Sequence, residues 1–187
     1  EEERLLGVSL TGITDCRILN TASSKQLPQV LTELKNYSVR INKVWSRKFN
    51  IPQSTAVTCV KPSGTVSQLV DSSSGIHARH APYYIRTVRA DNKDPLTQFM
   101  IHAGIPNEPD QMKPDHTTVF SFPIKAPANA LHRNSMTAIE QLEFWKIYAE
   151  YWCEHKPSVT ISMKEPEWIG VGAWCWDNFD YLSGVSF

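Results

Sequence analysis

One stretch decides the fold of this chain: Thr55-Ala56-Val57-Thr58-Cys59-Val60-Lys61-Pro62-Ser63-Gly64-Thr65-Val66-Ser67. Its first six residues are β-branched or apolar and predict a strand. The following residues are small or carry hydroxyl groups, and they predict a loop that leads into a short helix. Gly64 lets the main chain approach an anion, while hydroxyls and the N–H groups of a helix start donate hydrogen bonds. The stretch therefore fits a phosphate-binding loop, and it also fits an ordinary turn.

The position of this loop favours the phosphate interpretation. In parallel sheets, functional groups gather at the carboxyl ends of the strands, and the loop directly follows the predicted strand. It lacks the Gly-Lys-Ser/Thr ending of a Walker loop and the GxGxxG pattern of a dinucleotide fingerprint. A second small-residue run, Ser72-Ser73-Ser74-Gly75-Ile76-His77, follows closely.

Composition excludes several classes of function. The 187 residues include 19 basic and 19 acidic side chains, so the net charge is zero and no broad field attracts nucleic acid or an anionic membrane. The content of 41% hydrophobic and 20% charged residues is typical of a soluble globular protein. No apolar run approaches the roughly 20 residues of a membrane span. The acidic start, residues 1–4, is unlike a signal peptide, and we expect a cytoplasmic protein.

The four cysteines do not form a metal motif. Cys16, Cys59, Cys153 and Cys175 stand far apart, without a CxxC pair. We expect buried, reduced thiols, which suit the cytosol, and no metal site.

Helices and strands alternate along the chain. The clearest helix runs from Leu27 to Phe49 and is expected to face the core through apolar residues three or four positions apart: Leu27, Val30, Leu31, Leu34, Ile41, Trp45 and Phe49. A second clear helix follows a cap at Ser135 or Thr137, with the face Ile139, Leu142, Trp145, Tyr148, Ala149 and Trp152. Shorter helices are predicted at 95–102 and 168–179, and strands at 55–60, 83–89, 117–122, 158–163 and the C-terminus. This order predicts an α/β fold built on parallel strands.

The histidines and arginines after the loop can be interpreted as functional or as structural residues. His77 and His80 would suit a metal or acid-base pair, but no third ligand lies nearby in sequence, which favours a role in a turn. Arg79, Arg86 and Arg89 would add charge to an anion site, yet strand geometry turns Arg86 and Arg89 to opposite faces. We expect these arginines to be mainly structural. The aromatic group at 168–181 is expected to pack a helix on a sheet, with stacking on a base as the alternative.

Four separated blocks carry a resemblance to a known family: residues 1–13, 58–67, 74–89 and 157–162. In sequence they read EEERLLGVSLTGI, TCVKPSGTVS, SGIHARHAPYYIRTVR and PSVTIS. In this order they resemble the large catalytic chain of adenosylcobalamin-dependent (class II) ribonucleotide reductases of the monomeric ribonucleoside-triphosphate type. The resemblance covers nearly the whole chain and identifies it as an internal or C-terminal fragment, 1–187, of the catalytic domain with both flanks missing.

The resemblance implies a fold and a site. The fold is the second half of a ten-stranded α/β barrel, made of two half-barrels of five parallel strands. The residues that match the family's substrate phosphate loop are Ser63, Gly64, Thr65, Val66 and Ser67. The implied partners are a ribonucleoside triphosphate, a thioredoxin-type reductant and the remaining half of the barrel.

The resemblance also implies where the chemistry lies. In the family, adenosylcobalamin generates a thiyl radical on a cysteine of an Asn-Pro-Cys-x-Glu motif, and a cysteine pair reduces the ribose. No Asn-Pro-Cys occurs in this chain, so no catalytic residue is assigned here, and the residues that touch the cofactor stay unknown. The rivals are a diiron (class I) or glycyl-radical (class III) reductase, and a non-catalytic nucleotide-phosphate-binding module.

Overall fold

The computed structural model describes residues 3–21 and 25–187, and the chain divides into two compact units. One unit contains Glu1–Arg79 and Pro127–Phe187, and the other contains His80–Ala126. The helices are α1 (Gln26–Phe49), α2 (Val66–Leu69), α3 (Pro95–His102), α4 (Ala138–Tyr151) and α5 (Trp168–Asp177). The strands are β1 (Val8–Ser9), β2 (Thr58–Cys59), β3 (Tyr83–Asp91), β4 (Asn107–Pro109), β5 (Thr117–Lys125), β6 (Ser158–Thr160) and β7 (Gly184–Ser186).

The first unit contains two parallel strand pairs, β1 with β2 and β6 with β7. The Ser158 N–H donates to the Val60 carbonyl at 3.3 Å, which joins the two pairs at one point. Beside β2, the Glu154 carboxylate accepts the N–H groups of Val57 (2.8 Å) and Thr58 (3.3 Å). Parallel strands are thus confirmed here, although β2 and β6 are shorter than predicted because side chains and loops take over the pairing at their ends.

The second unit is an antiparallel sheet in the order β3-β5-β4. The prediction that residues 83–89 and 117–122 belong to a parallel sheet is therefore wrong. Parallel sheets are covered on both faces, whereas an antiparallel sheet tolerates exposure to water. Most residues of β3 are exposed and none is fully buried, which suits the antiparallel arrangement.

The core of the first unit lies between α4 and the parallel strands. Leu142, Trp145, Tyr148 and Trp152 are buried, as the spacing predicted. The polar atoms of the aromatic residues also find partners, as buried Trp and Tyr require. Trp145 donates to the Pro157 carbonyl, Trp152 to that of Cys59 and Tyr148 to that of Leu19.

Two predicted core faces are only partly buried. Leu27 and Leu31 of α1 are buried, but Leu34, Ile41, Trp45 and Phe49 are exposed, so the expectation of a core-facing helix holds only for its first turns. A groove of about 310 Å³ runs along this face, and we call it the α1 groove. It is lined by Leu6, Val8, Tyr37, Ser38, Ile41, Asn42, Trp45 and Val57. In the aromatic group at 168–181, Trp174 is buried, whereas Trp168, Trp176, Phe179 and Tyr181 are exposed.

The cysteines are free thiols, with Cys59 and Cys153 buried and Cys16 and Cys175 half-buried. Across the described parts of the chain, none of the helices combines the length and apolar character that a membrane span requires.

Candidate functional site

Residues 61–67, which we call the serine loop, are held in shape by their own hydroxyl groups. The Ser63 hydroxyl accepts the Ser67 N–H at 3.0 Å, and the Ser67 hydroxyl donates to the Ser63 carbonyl. Ser67 is fully buried. Both hydroxyls are thus used inside the loop, so they maintain its conformation instead of facing solvent.

Thr65 stands at the start of α2 and is exposed. Its side chain does not cap the helix. Among the described residues, neither the Thr65 hydroxyl nor the N–H groups of Thr65 and Val66 have a hydrogen-bond partner. Amides in the first turn of a helix have no acceptor within the helix. The loop therefore offers these three donors to an anion from outside.

Gly75 lets a second segment pack directly beneath the serine loop. Its φ is +57°, and a Cβ built on it would lie 2.9 Å from the carbonyl oxygen of Lys61. A residue with a side chain would meet both a strained backbone and a steric clash. Next to it, the Ser74 hydroxyl accepts the N–H of Ser63 at 2.8 Å. The runs 61–67 and 72–77, separate in sequence, thus form one structure.

His77 links this structure to β6. Its Nδ1 lies 3.0 Å from the Ser74 carbonyl oxygen, which can only accept, so Nδ1 carries the proton. Its Nε2 accepts the Thr160 N–H at 3.1 Å. Both ring nitrogens are therefore occupied within the protein. His80, considered with it as a pair, packs edge-on against Tyr84.

Two of the three arginines, Arg79 and Arg89, have carboxylate partners. Arg79 is buried and pairs with Asp15 at 2.9 Å, which agrees with the structural role expected for it. Arg89 pairs with Asp110 at 2.7 Å, and this hydrogen bond, together with the Met112 N–H, lowers the pKa of Asp110.

Sequence reasoning missed Thr11, Thr14 and Asp15, which hold the run 72–77. The Thr11 and Thr14 hydroxyls and the Asp15 carboxylate all bond to Ser73. One signal could have revealed them. Hydroxyl residues follow β1, with a carboxylate at Asp15, just as hydroxyl residues follow β2, and the carboxyl ends of neighbouring parallel strands meet.

Cys153 and Cys175 are poor nucleophiles. Burial, with a smaller contribution from Cys59, raises the pKa of Cys153 to about 12. Burial also raises the pKa of Cys175. Both stay protonated at neutral pH, whereas the thiolate is the reactive form.

Comparison with known proteins gives matches over most of the chain. No protein-family model matches it. An adenosylcobalamin-dependent ribonucleoside-triphosphate reductase from Euglena gracilis is 32% identical over 190 residues, which cover 98% of this chain and 25% of the relative. A probable enzyme of the same name from Dictyostelium discoideum is 30% identical and covers 98% of this chain and 24% of the relative. The chain thus spans about a quarter of the length of the curated relatives it matches.

A solved structure matches as well. The crystal structure of a B12-dependent (class II) ribonucleotide reductase superimposes with a TM-score of 0.76 and 26% identity. The match covers 87% of this chain and 23% of the solved one.

Proposed function

Because this chain belongs to the family of adenosylcobalamin-dependent ribonucleoside-triphosphate reductases, we propose that the intact protein reduces ribonucleoside triphosphates to deoxyribonucleotides for DNA synthesis. The observation that carries the proposal is the match to the Euglena enzyme over 98% of the chain. The relatives are named for adenosylcobalamin, which favours this cofactor over the diiron and glycyl-radical rivals.

Within that protein, the serine loop is proposed to bind the substrate phosphates. Of Ser63, Gly64, Thr65, Val66 and Ser67, two would act directly: Thr65 through its hydroxyl and N–H, and Val66 through its N–H. Ser63 and Ser67 would act indirectly, because their hydroxyls hold the loop. Gly64 would let an anion approach the main chain, because it has no side chain. The space there is open, since no heavy atom lies within 4 Å of a Cβ built at this position.

The described residues do not build a metal site from their own side chains, and a cobalamin, whose macrocycle holds the cobalt, would not need one. No three His, Cys, Asp or Glu side chains among them converge as a metal site would require, and His77 uses both ring nitrogens within the protein. When bound, adenosylcobalamin would supply the radical chemistry. No Asn-Pro-Cys occurs in this chain, so we do not assign the radical cysteine to it. Contacts with adenosylcobalamin and with a thioredoxin-type reductant are likewise not assigned to its residues.

The remainder of the barrel is proposed to cover the α1 groove. The groove is apolar, with Ile41 and Trp45 on α1 facing it while exposed. β1 beside it is an edge strand, paired only with β2 among the described residues. Exposed apolar surface next to an open strand edge is typical of an interface. A strand added to β1 would extend the parallel pairs towards the proposed ten-stranded barrel.

Thr65→Val in the intact protein tests the phosphate site. Valine keeps the shape of threonine but removes the hydroxyl donor, and the loss of a charge-assisted hydrogen bond costs about 1 to 3 kcal/mol. Equilibrium binding of a ribonucleoside triphosphate should weaken accordingly, while binding of the unphosphorylated nucleoside should not change. Thr32→Val is the matched control, because the Thr32 hydroxyl only donates to the Pro28 carbonyl of its own helix. Unchanged triphosphate affinity in Thr65→Val would contradict the proposal.

A further inference from the structure

The largely buried ion pair between Asp15 and Arg79 is bonded to Asp71 and Ser73, which follow α2 and the serine loop along the chain. We propose that this pair positions α2 and the serine loop, and thereby sets the affinity for the substrate phosphates. The inference rests on the proposed phosphate site. It assigns Asp15 and Arg79 as positioning residues that do not themselves touch the substrate.

Asp15 holds the chain just after α2. Its Oδ2 accepts the Ser73 N–H at 2.7 Å. Both of its carboxylate oxygens accept hydrogen bonds from Arg79, whose Nε lies 3.1 Å from Oδ1 and whose Nη2 lies 2.9 Å from Oδ2. The side chains of Arg79 and Asp15 are 3% and 12% exposed, so water screens the pair little.

Arg79 holds Asp71, two residues beyond the last residue of α2. Its Nη2 donates to the Asp71 carbonyl at 2.8 Å, and Nη1 lies 3.4 Å from the Asp71 carboxylate. Asp71 has a φ of +46°, a left-handed conformation that costs free energy in a residue other than glycine. The guanidinium thus stabilises the strained residue at which the chain leaves α2.

The residues that precede Asp15 make their own hydrogen bonds to the run 72–77. Gly12 N–H and the Thr11 hydroxyl both donate to the Ser73 carbonyl, at 2.8 and 3.0 Å. The Thr14 hydroxyl is buried between the Ser73 hydroxyl (2.8 Å) and the His77 carbonyl (2.9 Å). Asp15 therefore projects from a segment that is itself bonded to the run 72–77.

The short length of α2 makes this external support necessary. A helix of four residues cannot maintain itself, because helix nucleation is unfavourable. Its start is held by the Ser63–Ser67 bonds and its end by Arg79 and Asp15. If the end of α2 shifts, the Thr65 and Val66 donors shift with it, and small misplacements of binding groups have large effects.

Asp15→Asn and Arg79→Lys in the intact protein test the inference. The readout is the ratio of the dissociation constants for an unphosphorylated ribonucleoside and its triphosphate, which isolates the contribution of the phosphates. Asn preserves shape but removes the charge, and Lys preserves charge but removes the two-pronged geometry. We expect each change to lower the ratio about tenfold, the scale of one displaced charge-assisted bond. If the Asp15→Asn variant does not fold, the Arg79→Lys variant still tests the inference through the same ratio.

Asp110→Asn is the matched control. Asp110 is also buried, accepts a hydrogen bond from an arginine and binds the N–H groups of Met112 and Lys113, but it belongs to the other unit. The Asp110→Asn substitution should lower thermal stability without changing the ratio of the two dissociation constants. If the Asp15 and Arg79 variants lose only stability while Thr65→Val lowers the ratio, the positioning role is overturned and the phosphate site stands. If Thr65→Val also leaves the ratio unchanged, the phosphate site itself is wrong.

Discussion

At the scale of single residues, Gly75 is the tightest constraint near the site. It combines a φ of +57° with a Cβ position only 2.9 Å from a main-chain oxygen of Lys61. Gly104 has a similar φ of +75°, but no heavy atom lies within 4 Å of its Cβ position. A substitution at Gly75 would thus meet both backbone strain and a steric clash, whereas one at Gly104 would meet backbone strain alone.

Gly75→Ala is expected to destabilise the intact protein by about 2 to 4 kcal/mol, because strain and overpacking add. Gly104→Ala should cost only about 1 to 2 kcal/mol, the strain alone. Denaturant unfolding of both variants measures the difference. Equal losses would mean that Lys61 moves away freely, and that the run 72–77 does not fix the serine loop.

The serine loop also shows how far residue patterns predict a site. The pattern of small and hydroxyl residues predicted a loop that leads into a short helix, and the structure has this loop between β2 and α2. It could not tell that the Ser63 and Ser67 hydroxyls turn inward while the Thr65 hydroxyl stays open, since all three read alike in sequence. Nor could it pair Asp15 with Arg79, because 64 positions separate them along the chain.

At the scale of elements, the start of α4 shows a complete capping box. The Thr137 hydroxyl accepts the Glu140 N–H at 3.2 Å, and the Glu140 carboxylate accepts the Thr137 N–H at 2.7 Å. These bonds satisfy N–H groups that have no acceptor within the helix. The cap matters because α4 supplies much of the core.

Thr137→Ala should therefore lower the free energy of unfolding by about 1 kcal/mol, the usual value for a lost N-cap. Thermal or denaturant unfolding measures it. Ser135→Ala is the comparison, since the Ser135 hydroxyl accepts only the N–H of His132 in the preceding turn. If the Ser135 change costs more than the Thr137 change, the assignment of the cap is wrong.

In the antiparallel unit, Asp110 should make the stability of the fold depend on pH. The hydrogen bond from Arg89 is the main cause that lowers the pKa of Asp110 below its ordinary 3.8. The folded protein thus holds this proton less tightly than the unfolded chain. Its stabilising contribution is fully present above the ordinary pKa and is lost as the pH falls through the lowered one.

Asp110→Asn should accordingly reduce the loss of stability between about pH 5 and pH 2. The measurement is thermal unfolding, or hydrogen exchange of the β3–β5 amides, across this range. Asp115→Asn, on an exposed carboxylate of the same unit, is the control. An acid profile of Asp110→Asn that matches the unsubstituted protein would contradict the role of the pair.

The sequence predicted the bounds of a helix correctly where the apolar spacing or the turn residues gave a clear signal. The start and end of α1 and the face of α4 follow from apolar spacing and turn residues. Strand direction was not predictable, because alternation alone does not say whether a neighbour runs parallel or antiparallel. The register of the structure, with Tyr83 opposite Lys125 and Asp91 opposite Thr117, establishes the antiparallel direction.

At the scale of the whole molecule, α1 shows what apolar spacing cannot reveal. The pattern marks a face to be buried, but not whether this segment or another covers it. Ile41 and Trp45 belong to the predicted face and are nevertheless exposed along the α1 groove. In the proposed barrel, the remainder of the protein covers these two side chains.

Ile41→Glu tests that assignment. In the intact protein it should cost about 2 to 4 kcal/mol or make the protein insoluble, because a charge would be buried without a partner. Lys43→Glu, on an exposed position of the same helix, should change stability by less than about 0.5 kcal/mol. Similar small effects of both changes on unfolding would show that the groove is open to solvent.

The central claim is that this chain is part of a cobalamin-dependent ribonucleotide reductase. The most direct measurement is the formation of deoxyribonucleotide by the purified intact protein, given a ribonucleoside triphosphate and a dithiol reductant, with and without adenosylcobalamin. We predict product only when adenosylcobalamin is added, and no loss of activity when iron is chelated. Product without adenosylcobalamin that disappears on iron chelation, or no product under any of these conditions, would contradict the claim.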